Sequence, residues 1–406
     1  MSKDTRNVPA LRFKGFSDAW EKRKLIYFLN VSDQKNSKGT FSKKDVLSVS
    51  GEFGIVNQIQ FQGRSFAGVS VKKYGIVEKG DIVYTKSPLK RNPFGIIKVN
   101  RGQAGIVSTL YAIYKPRKTV CPSIIDYYFQ SDTKLNNYLR PLVNKGAKND
   151  MKVKNIDVLK GLVILPLNLD EQKKDIFFLD NITNLIAATQ DKLDHFEEIK
   201  KALLKHLFDQ SMRFKGYSDP WEKRKLGEIA DIRGGGTPST SKPEYWDGEI
   251  DWYAPAEIGT QRYVSGSRRQ ITNLGLNKSS ATMLPANKTI LFTSRAGIGN
   301  AAILTKSGAT NQGFQSIVVK PATDIYFLYS EVPEIKRKAI RLAAGSTFLE
   351  ISGKSLSKIQ IWLPSFKEQS RIGHLFLQID NLIAATQSKL SSLESLKKAL
   401  LQGLFI

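Results

Sequence analysis

The sequence predicts a mixed α/β (α+β) fold arranged as a tandem pseudo-two-fold duplication, with two globular domains separated by two long antiparallel coiled-coil helices. Residues 184–193 read NLIAATQDKL and residues 381–390 read NLIAATQSKL, one substitution in ten positions. A second echo opens each half: RFKGFSDAWEKRKL at 12–25 returns as RFKGYSDPWEKRKL at 213–226. Two copies of about 200 residues exclude a solenoid, which stacks many short units. Between these repeated edges the copies share almost no identities, so one fold carries two different working surfaces.

The landmarks of the two middles still come in the same order. Ile82-Val83-Tyr84-Thr85 followed by Lys86-Ser87 parallels Ile290-Leu291-Phe292-Thr293 followed by Ser294-Arg295. Lys115-Pro116 precedes Tyr127-Tyr128-Phe129, as Lys320-Pro321 precedes Tyr326-Phe327-Leu328-Tyr329. Gly146 and Gly345 then lead to apolar strands closing in Leu165-Pro166 and Leu363-Pro364.

Taken in order, the chain divides into a first globular domain (1–166), a long helix (167–210), a second globular domain (211–364) and a second long helix (365–406). WEKRKL reads as a short polar helix or turn anchored by Trp20. Short strands follow at 46–49, 75–77, 81–84 and 105–114, with helical stretches at 123–130 and 135–143 and an apolar strand at 161–165. From 170 to 208, Ile182, Ile186, Thr189, Leu193 and Phe196 alternate steps of four and three, and Ile199, Leu203 and Leu207 continue the stripe without Gly or Pro. That predicts a helix of about 58 Å at 1.5 Å per residue. The second copy repeats the seam with Ile379, Ile383, Thr386, Leu390, Leu393, Leu396, Leu400 and Leu404. Neither helix hides its stripe alone, so each is expected to pack on the other.

Composition narrows the class. Hydrophobic residues make up 41% of the 406 and charged residues 24%, which is a globular balance. Sixty-two Lys and Arg oppose 37 Asp and Glu, and a net charge of +25 favours a polyanionic partner such as nucleic acid. The lone Cys121 excludes an intramolecular disulfide and fits a reducing cytoplasm. The N-terminal stretch lacks the apolar core of a signal peptide, and no apolar run approaches the ~18 residues of a membrane helix. A cytoplasmic location is expected.

Catalytic signatures are weak. His195, His206 and His374 fall on the two long helices, and one cysteine with no HExxH spacing argues against zinc. Gly353-Lys354-Ser355 resembles the tail of a phosphate-binding loop, but Phe348 stands where that motif requires glycine. Asp219-Pro220-Trp221 resembles an amino-methyltransferase motif with one proline missing, and no glycine-rich methyl-donor loop accompanies it. Asp324 with Glu334-Ile335-Lys336 has nuclease-like spacing that a lysine-rich chain produces by chance. The expectation is a chain that is not itself an enzyme and binds no cofactor or metal.

Two loops carry chemistry suited to base edges. The first is Lys86-Ser87-Pro88-Leu89-Lys90-Arg91-Asn92, with three cations and an amide after a strand. Ser294 and Arg295 hold the parallel place in the second half, followed by Asn311, Gln312 and Gln315. Arg and Lys pair with guanine O6 and N7, and Asn and Gln with adenine N6 and N7. Gly235 and Thr237 lie in a flexible glycine-rich loop whose backbone N–H groups could meet a phosphate. The candidate DNA contacts are therefore Lys86, Ser87, Lys90, Arg91, Asn92, Gly235, Thr237, Ser294, Arg295, Asn311, Gln312 and Gln315. The candidate helix-pair seam is Ile182, Ile186, Leu193, Leu203, Ile379, Ile383, Leu390 and Leu400. A second function class stays open, a coiled-coil interaction protein that binds nucleic acid without reading it.

With these residues assembled, the chain resembles the specificity subunit of type I restriction–modification systems. NLIAATQDKL and NLIAATQSKL carry the resemblance, with the WEKRKL openings and GGGTPSTSKPEYWDG at 234–248. So do Pro166 with Glu171-Gln172 and Pro364 with Glu368-Gln369 at the approach to each helix. The resemblance implies two target-recognition domains, each reading one half of a bipartite double-stranded DNA site, with the helices as spacer and ruler. It implies two modification subunits that bind S-adenosylmethionine and methylate adenine, and motor-nuclease restriction subunits that use ATP and Mg. It also implies that residues 1–25 pack near the C-terminal helix. The first half has no GGTPS loop, so that element is expected only in the second.

Overall fold

The computed structural model describes residues 7–145, 151–295, 297–344 and 349–405. Gly146 and Gly345 lie outside them. The chain forms two compact units, one made of residues up to Gln190 together with those from Lys389, the other of Asp191–Ser388. Each unit thus contains one globular domain, the start of one long helix and the end of the other.

The strands of unit 1 are β1 (Glu21–Lys24), β2 (Leu29–Ser32), β3 (Leu47–Ser50), β4 (Gly54–Asn57), β5 (Gly75–Val77), β6 (Ile82–Thr85), β7 (Ile97–Val99), β8 (Gly105–Val107), β9 (Tyr111–Pro116), β10 (Asn144–Lys145), β11 (Met151–Lys152) and β12 (Leu162–Leu165). Four form the antiparallel sheet β2-β9-β6-β7, and the others pair in twos. Ile82, Tyr84, Ala112 and Tyr114 point from that sheet into a core closed by helices Pro122–Tyr128 and Asp132–Leu139. β1 corrects an expectation. EKRK is a strand, paired with Leu162–Leu165 in antiparallel register. Its charged side chains are exposed or half-exposed, so no apolar periodicity marks it. The stretch 105–114 is also two strands, because a turn at Ser108 separates β8 from β9.

In unit 2 the strands are β13 (Glu222–Lys225), β14 (Ala230–Gly234), β15 (Trp246–Tyr253), β16 (Tyr263–Val264), β17 (Arg269–Ile271), β18 (Thr289–Phe292), β19 (Ala301–Leu304), β20 (Gly308–Thr310), β21 (Gln315–Val319) and β22 (Gln360–Leu363). The sheet order β14-β21-β18-β19 repeats β2-β9-β6-β7, and β16 extends it. A second sheet, β17-β15-β20, has no counterpart of the same size in unit 1. Pairing is mainly antiparallel, with parallel exceptions at β15–β20 and β16–β19. The duplication therefore extends to sheet order even where sequence identity has vanished.

The long helices run Leu169–Phe208 and Phe366–Leu404. Ile182, Leu193, Ile379 and Leu390 are buried, and Ile186, Leu203, Ile383 and Leu400 are half-buried. Within unit 1 the start of the first helix shares a core with the end of the second, through Leu179, Leu400 and Leu404. Within unit 2 the converse holds, through Leu203, Leu207, Phe376 and Ile379. Ile199 and Leu396, expected in the seam, are 43% and 48% exposed. The four–three alternation runs on to Lys200 and Lys397, which are half-buried in their place. Lys200 is held there by Asp380 at 2.7 Å. Among the described residues no helix is long and apolar enough to cross a membrane.

The repeated edges build the same clamp twice. Arg12 donates from Nε and Nη2 to both oxygens of Glu171 (2.7 and 2.9 Å), and Arg213 does the same to Glu368 (3.0 and 2.6 Å). Gln172 accepts from the Cys121 N–H and donates to the Pro166 carbonyl; Gln369 accepts from Asp324 and donates to Pro364. Trp20 packs edge-on against Phe405, and Trp221 against Phe208. The backbone N–H of Leu11 donates to the Gly403 carbonyl, so the N-terminal segment does lie on the C-terminal helix.

One position breaks the match. Asp175 is buried where the second copy has the fully buried Ile372, and its Oδ2 has no hydrogen-bond partner among the described residues. Burial, and then the charge of Glu171, push the Asp175 carboxyl up to about 7 against the pull of Arg12. A folded-state value above the unfolded one means stability present below about pH 4 is lost as the pH rises towards 7. Asp175→Asn is therefore expected to raise the melting temperature at pH 8 by a few degrees and at pH 5 by much less. Melts showing the same gain at both pH values would refute this assignment.

Candidate nucleic-acid interface

In unit 1 the candidate loop grows from the end of β6. Ser87, Lys90 and Arg91 are exposed and Lys86 is half-buried. Burial, reinforced by the neighbouring Lys35, lowers the Lys86 pKa. Asn92 is a different case. It is buried, and its amide donates to Asp132 Oδ1 at 2.8 Å. The Arg91 carbonyl accepts from Asn136, and Gly95 turns the loop back with a φ of 91°. Asn92 thus shapes the loop from beneath and has no free edge to offer a base.

Three separated segments converge in unit 2. Gly234 pairs with Gln315 at the end of the β14–β21 ladder. The Gly236 N–H donates to the Thr310 carbonyl, the Ser294 N–H to Gly313, and the Thr237 hydroxyl to the Gln312 side chain. Gly235, Thr237, Arg295, Asn311, Gln312 and Gln315 are therefore gathered at one end of the sheet. Ser294 is fully buried and beyond the reach of DNA. The glycine-rich loop is not a free turn, contrary to expectation. A Cβ on Gly235 would stand 2.0 Å from the Asn311 carbonyl oxygen, and one on Gly236 2.4 Å from the Ala281 nitrogen. These glycines serve close backbone approach.

Two tryptophans hold the same loop. The Trp246 indole N–H donates to the Ser239 carbonyl and that of Trp252 to the Gly236 carbonyl. The rings meet edge-on, 5.1 Å apart. Exposed Arg269 lies with its guanidinium carbon 3.6 Å from the Trp246 ring centroid. Sequence reading passed over Arg269, whose only signal is the Arg268-Arg269 pair, and over the exposed rings of Phe53 and Phe61, in contact at 5.4 Å in unit 1.

The enzyme-like patterns dissolve into structure. The Asp324 carboxylate caps helix Ile325–Ser330, accepting from the N–H groups of Tyr326 and Phe327. Glu334 is engaged by Arg337 and Lys338. Trp221 is core, and Ser352 caps helix Gly353–Ser357. Among the described residues no group of three or more His, Cys, Asp or Glu could hold a metal ion.

Comparison with known proteins matches this architecture. The model of the family described as "Type I restriction modification DNA specificity domain" matches residues 218–395. The MjaIX specificity subunit of Methanocaldococcus jannaschii is 34% identical over 190 residues, covering 46% of this chain and 44% of that protein. The EcoR124I/EcoR124II specificity subunit of Escherichia coli is 27% identical over 259 residues, covering 60% and 62%. The matches span less than two thirds of the length of these relatives, from 44% to 62%. The crystal structure of a type I restriction–modification S subunit from M. genitalium shares the fold, with a TM-score of 0.63 at 15% identity over 98% of this chain and 99% of that one. Residues 218–395 thus match a type I restriction–modification DNA specificity domain, and the chain is similar in sequence to specificity subunits of these systems and in fold to an S subunit.

Proposed function

We propose that this chain is the sequence-specific DNA-recognition subunit of a type I restriction–modification complex, each half reading one half of a bipartite double-stranded site. One observation carries the reading. The clamps at the edges are duplicated residue for residue, whereas the loops after β6 and β18 present different polar side chains at equivalent places. Like edges suit two copies of one partner, and unlike middles suit two different half-sites. The chain is non-catalytic in this reading. Two modification subunits holding S-adenosylmethionine methylate adenine, and restriction subunits supply ATP- and Mg-dependent translocation and cleavage.

Methylation sequencing of the host genome with the gene intact and deleted tests this directly. The expected result is loss of one bipartite methyladenine motif on deletion; an unchanged methylome while the modification subunits are present overturns the reading. In the same assay Arg91→Ala and Arg295→Ala should each relax base choice in one half-site only. Each lost bidentate contact should cost about 1–3 kcal/mol of discrimination. Equal weakening on every sequence would make them phosphate contacts. Removing one heptad from both helices, residues 184–190 and 381–387, should change the gap between half-sites while both half-sites stay the same. An unchanged gap would refute the ruler role.

A further inference from the structure

We propose that Arg269 reads a guanine in the half-site recognised by unit 2. This rests on the specificity reading above and names a contact within it. Arg269 lies directly opposite Trp252 in the β15–β17 ladder, so their side chains share one face of the sheet. Its guanidinium stacks on Trp246 at 3.6 Å and reaches Trp252 at 5.8 Å. Both indoles are buried and spend their N–H groups on the glycine-rich loop, so the stacking platform is itself fixed. The Arg269 backbone is fixed too, its carbonyl accepting from the Ser267 hydroxyl. Yet the side chain is exposed, and among the described residues it has no carboxylate within ion-pair distance.

A cation stacked on a fixed ring gives up less rotamer freedom on binding than a free surface side chain does. With one face against the Trp246 indole, an exposed guanidinium keeps its N–H groups for a ligand, and a planar fork of donors fits guanine O6 and N7 together. A phosphate needs only a positive charge, which surface lysines supply without a stacking platform. The position is also right. The Trp252 indole N–H donates to the Gly236 carbonyl, and the Gly236 N–H donates to Thr310 beside Asn311, so Arg269 joins the patch that contains Thr237 and Gln312.

The test uses the full chain with its modification partners and duplexes carrying the methylated motif. Each guanine of the motif is replaced singly by 7-deazaguanine, which removes N7 alone. Wild-type complex should lose affinity at one guanine of one half-site. Arg269→Ala should abolish the preference at that position, a change of roughly 5- to 150-fold, and should leave the other half-site untouched. Arg269→Lys keeps the charge but not the planar fork that stacks on Trp246, so it should weaken the same preference, which keeps the test valid if the alanine variant folds poorly. Uniform loss on all DNA makes Arg269 a phosphate contact and overturns the proposal. So does unchanged discrimination, or a motif with no guanine in either half-site. Failure of the wild-type complex to prefer its motif over unrelated DNA is a separate result, and it would sink the specificity reading itself.

Discussion

Replacing Glu368 with Ala in the full-length chain is expected to destabilise unit 2 by about 3–5 kcal/mol, the cost of stripping one partner from a buried ion pair. Glu368 is 2% exposed and accepts two N–H groups of Arg213, itself only 18% exposed. Truncation leaves that guanidinium without its carboxylate, and the next helical turn offers Ile372 instead of another acid. The matching change in unit 1 should cost less, although Glu171 accepts an additional bond from Trp20. Asp175 occupies the next turn there, and its charge already acts on Arg12. With Glu171 gone and the pH at 8, Asp175 is placed to become the partner of Arg12. Urea midpoints of Glu171→Ala, Glu368→Ala and the Glu171→Ala/Asp175→Asn double variant decide this. The double variant should show a larger loss than Glu171→Ala alone. Equal losses for the two single variants would remove the compensating role of Asp175, and a loss under ~1 kcal/mol for Glu368→Ala would place the pair among surface bridges.

The long helices were legible because their seam obeys a period that no short segment mimics. The error at Ile199 and Leu396 came from following hydrophobicity where the period should have decided. Lys200 is a seam residue because Asp380 of the other helix meets its charge, and that partner is 180 positions away. β1 was illegible for a related reason. EKRK has no strand pattern of its own and becomes a strand because β12 offers it a ladder. The Glu-Gln pairs at the helix starts were visible as a repeated motif, but their work was not. Glu171 and Glu368 find Arg12 and Arg213 more than 150 residues upstream.

The candidate interface was half legible. A strand followed by clustered cations marked both loops, and exposure supports Lys90 and Arg91 as available groups. Composition could not separate Asn92 and Ser294 from them, since a polar side chain buried under a loop looks the same in one dimension as one presented on it. The glycine-rich loop was misjudged because glycine permits both freedom and close approach, and only the neighbours decide. Thr310 and Asn311 lie about 75 positions beyond Gly235, so nothing local reveals them.

That close approach gives a sharp expectation for Gly235→Ala. The added methyl would meet the Asn311 carbonyl oxygen at 2.0 Å and the Thr310 carbonyl oxygen at 2.4 Å, and backbone atoms cannot swing aside as a long side chain would. The end of β14 must then part from the 310–313 turn, at an overpacking cost of about 1–3 kcal/mol. The Gly236–Thr310 bond and the Thr237–Gln312 bond both span that gap, so the three segments of the unit 2 patch would lose their common geometry. Methylation at the bipartite motif should fall by more than ~10-fold, the equivalent of about 1.4 kcal/mol, with no new motif taking its place. Gly234→Ala is the control, because a Cβ there makes only ordinary contact, 3.8 Å from the Gln315 amide. Gly266→Ala is a second, since nothing lies within 4 Å of its Cβ. If Gly235→Ala methylates as well as these two, the loop does not set the geometry of the reading surface. If all three lose activity alike, small side chains at the surface matter for some reason other than this contact. Loss confined to Gly235→Ala, in a chain whose thermal unfolding stays cooperative, would tie recognition by unit 2 to a single backbone approach.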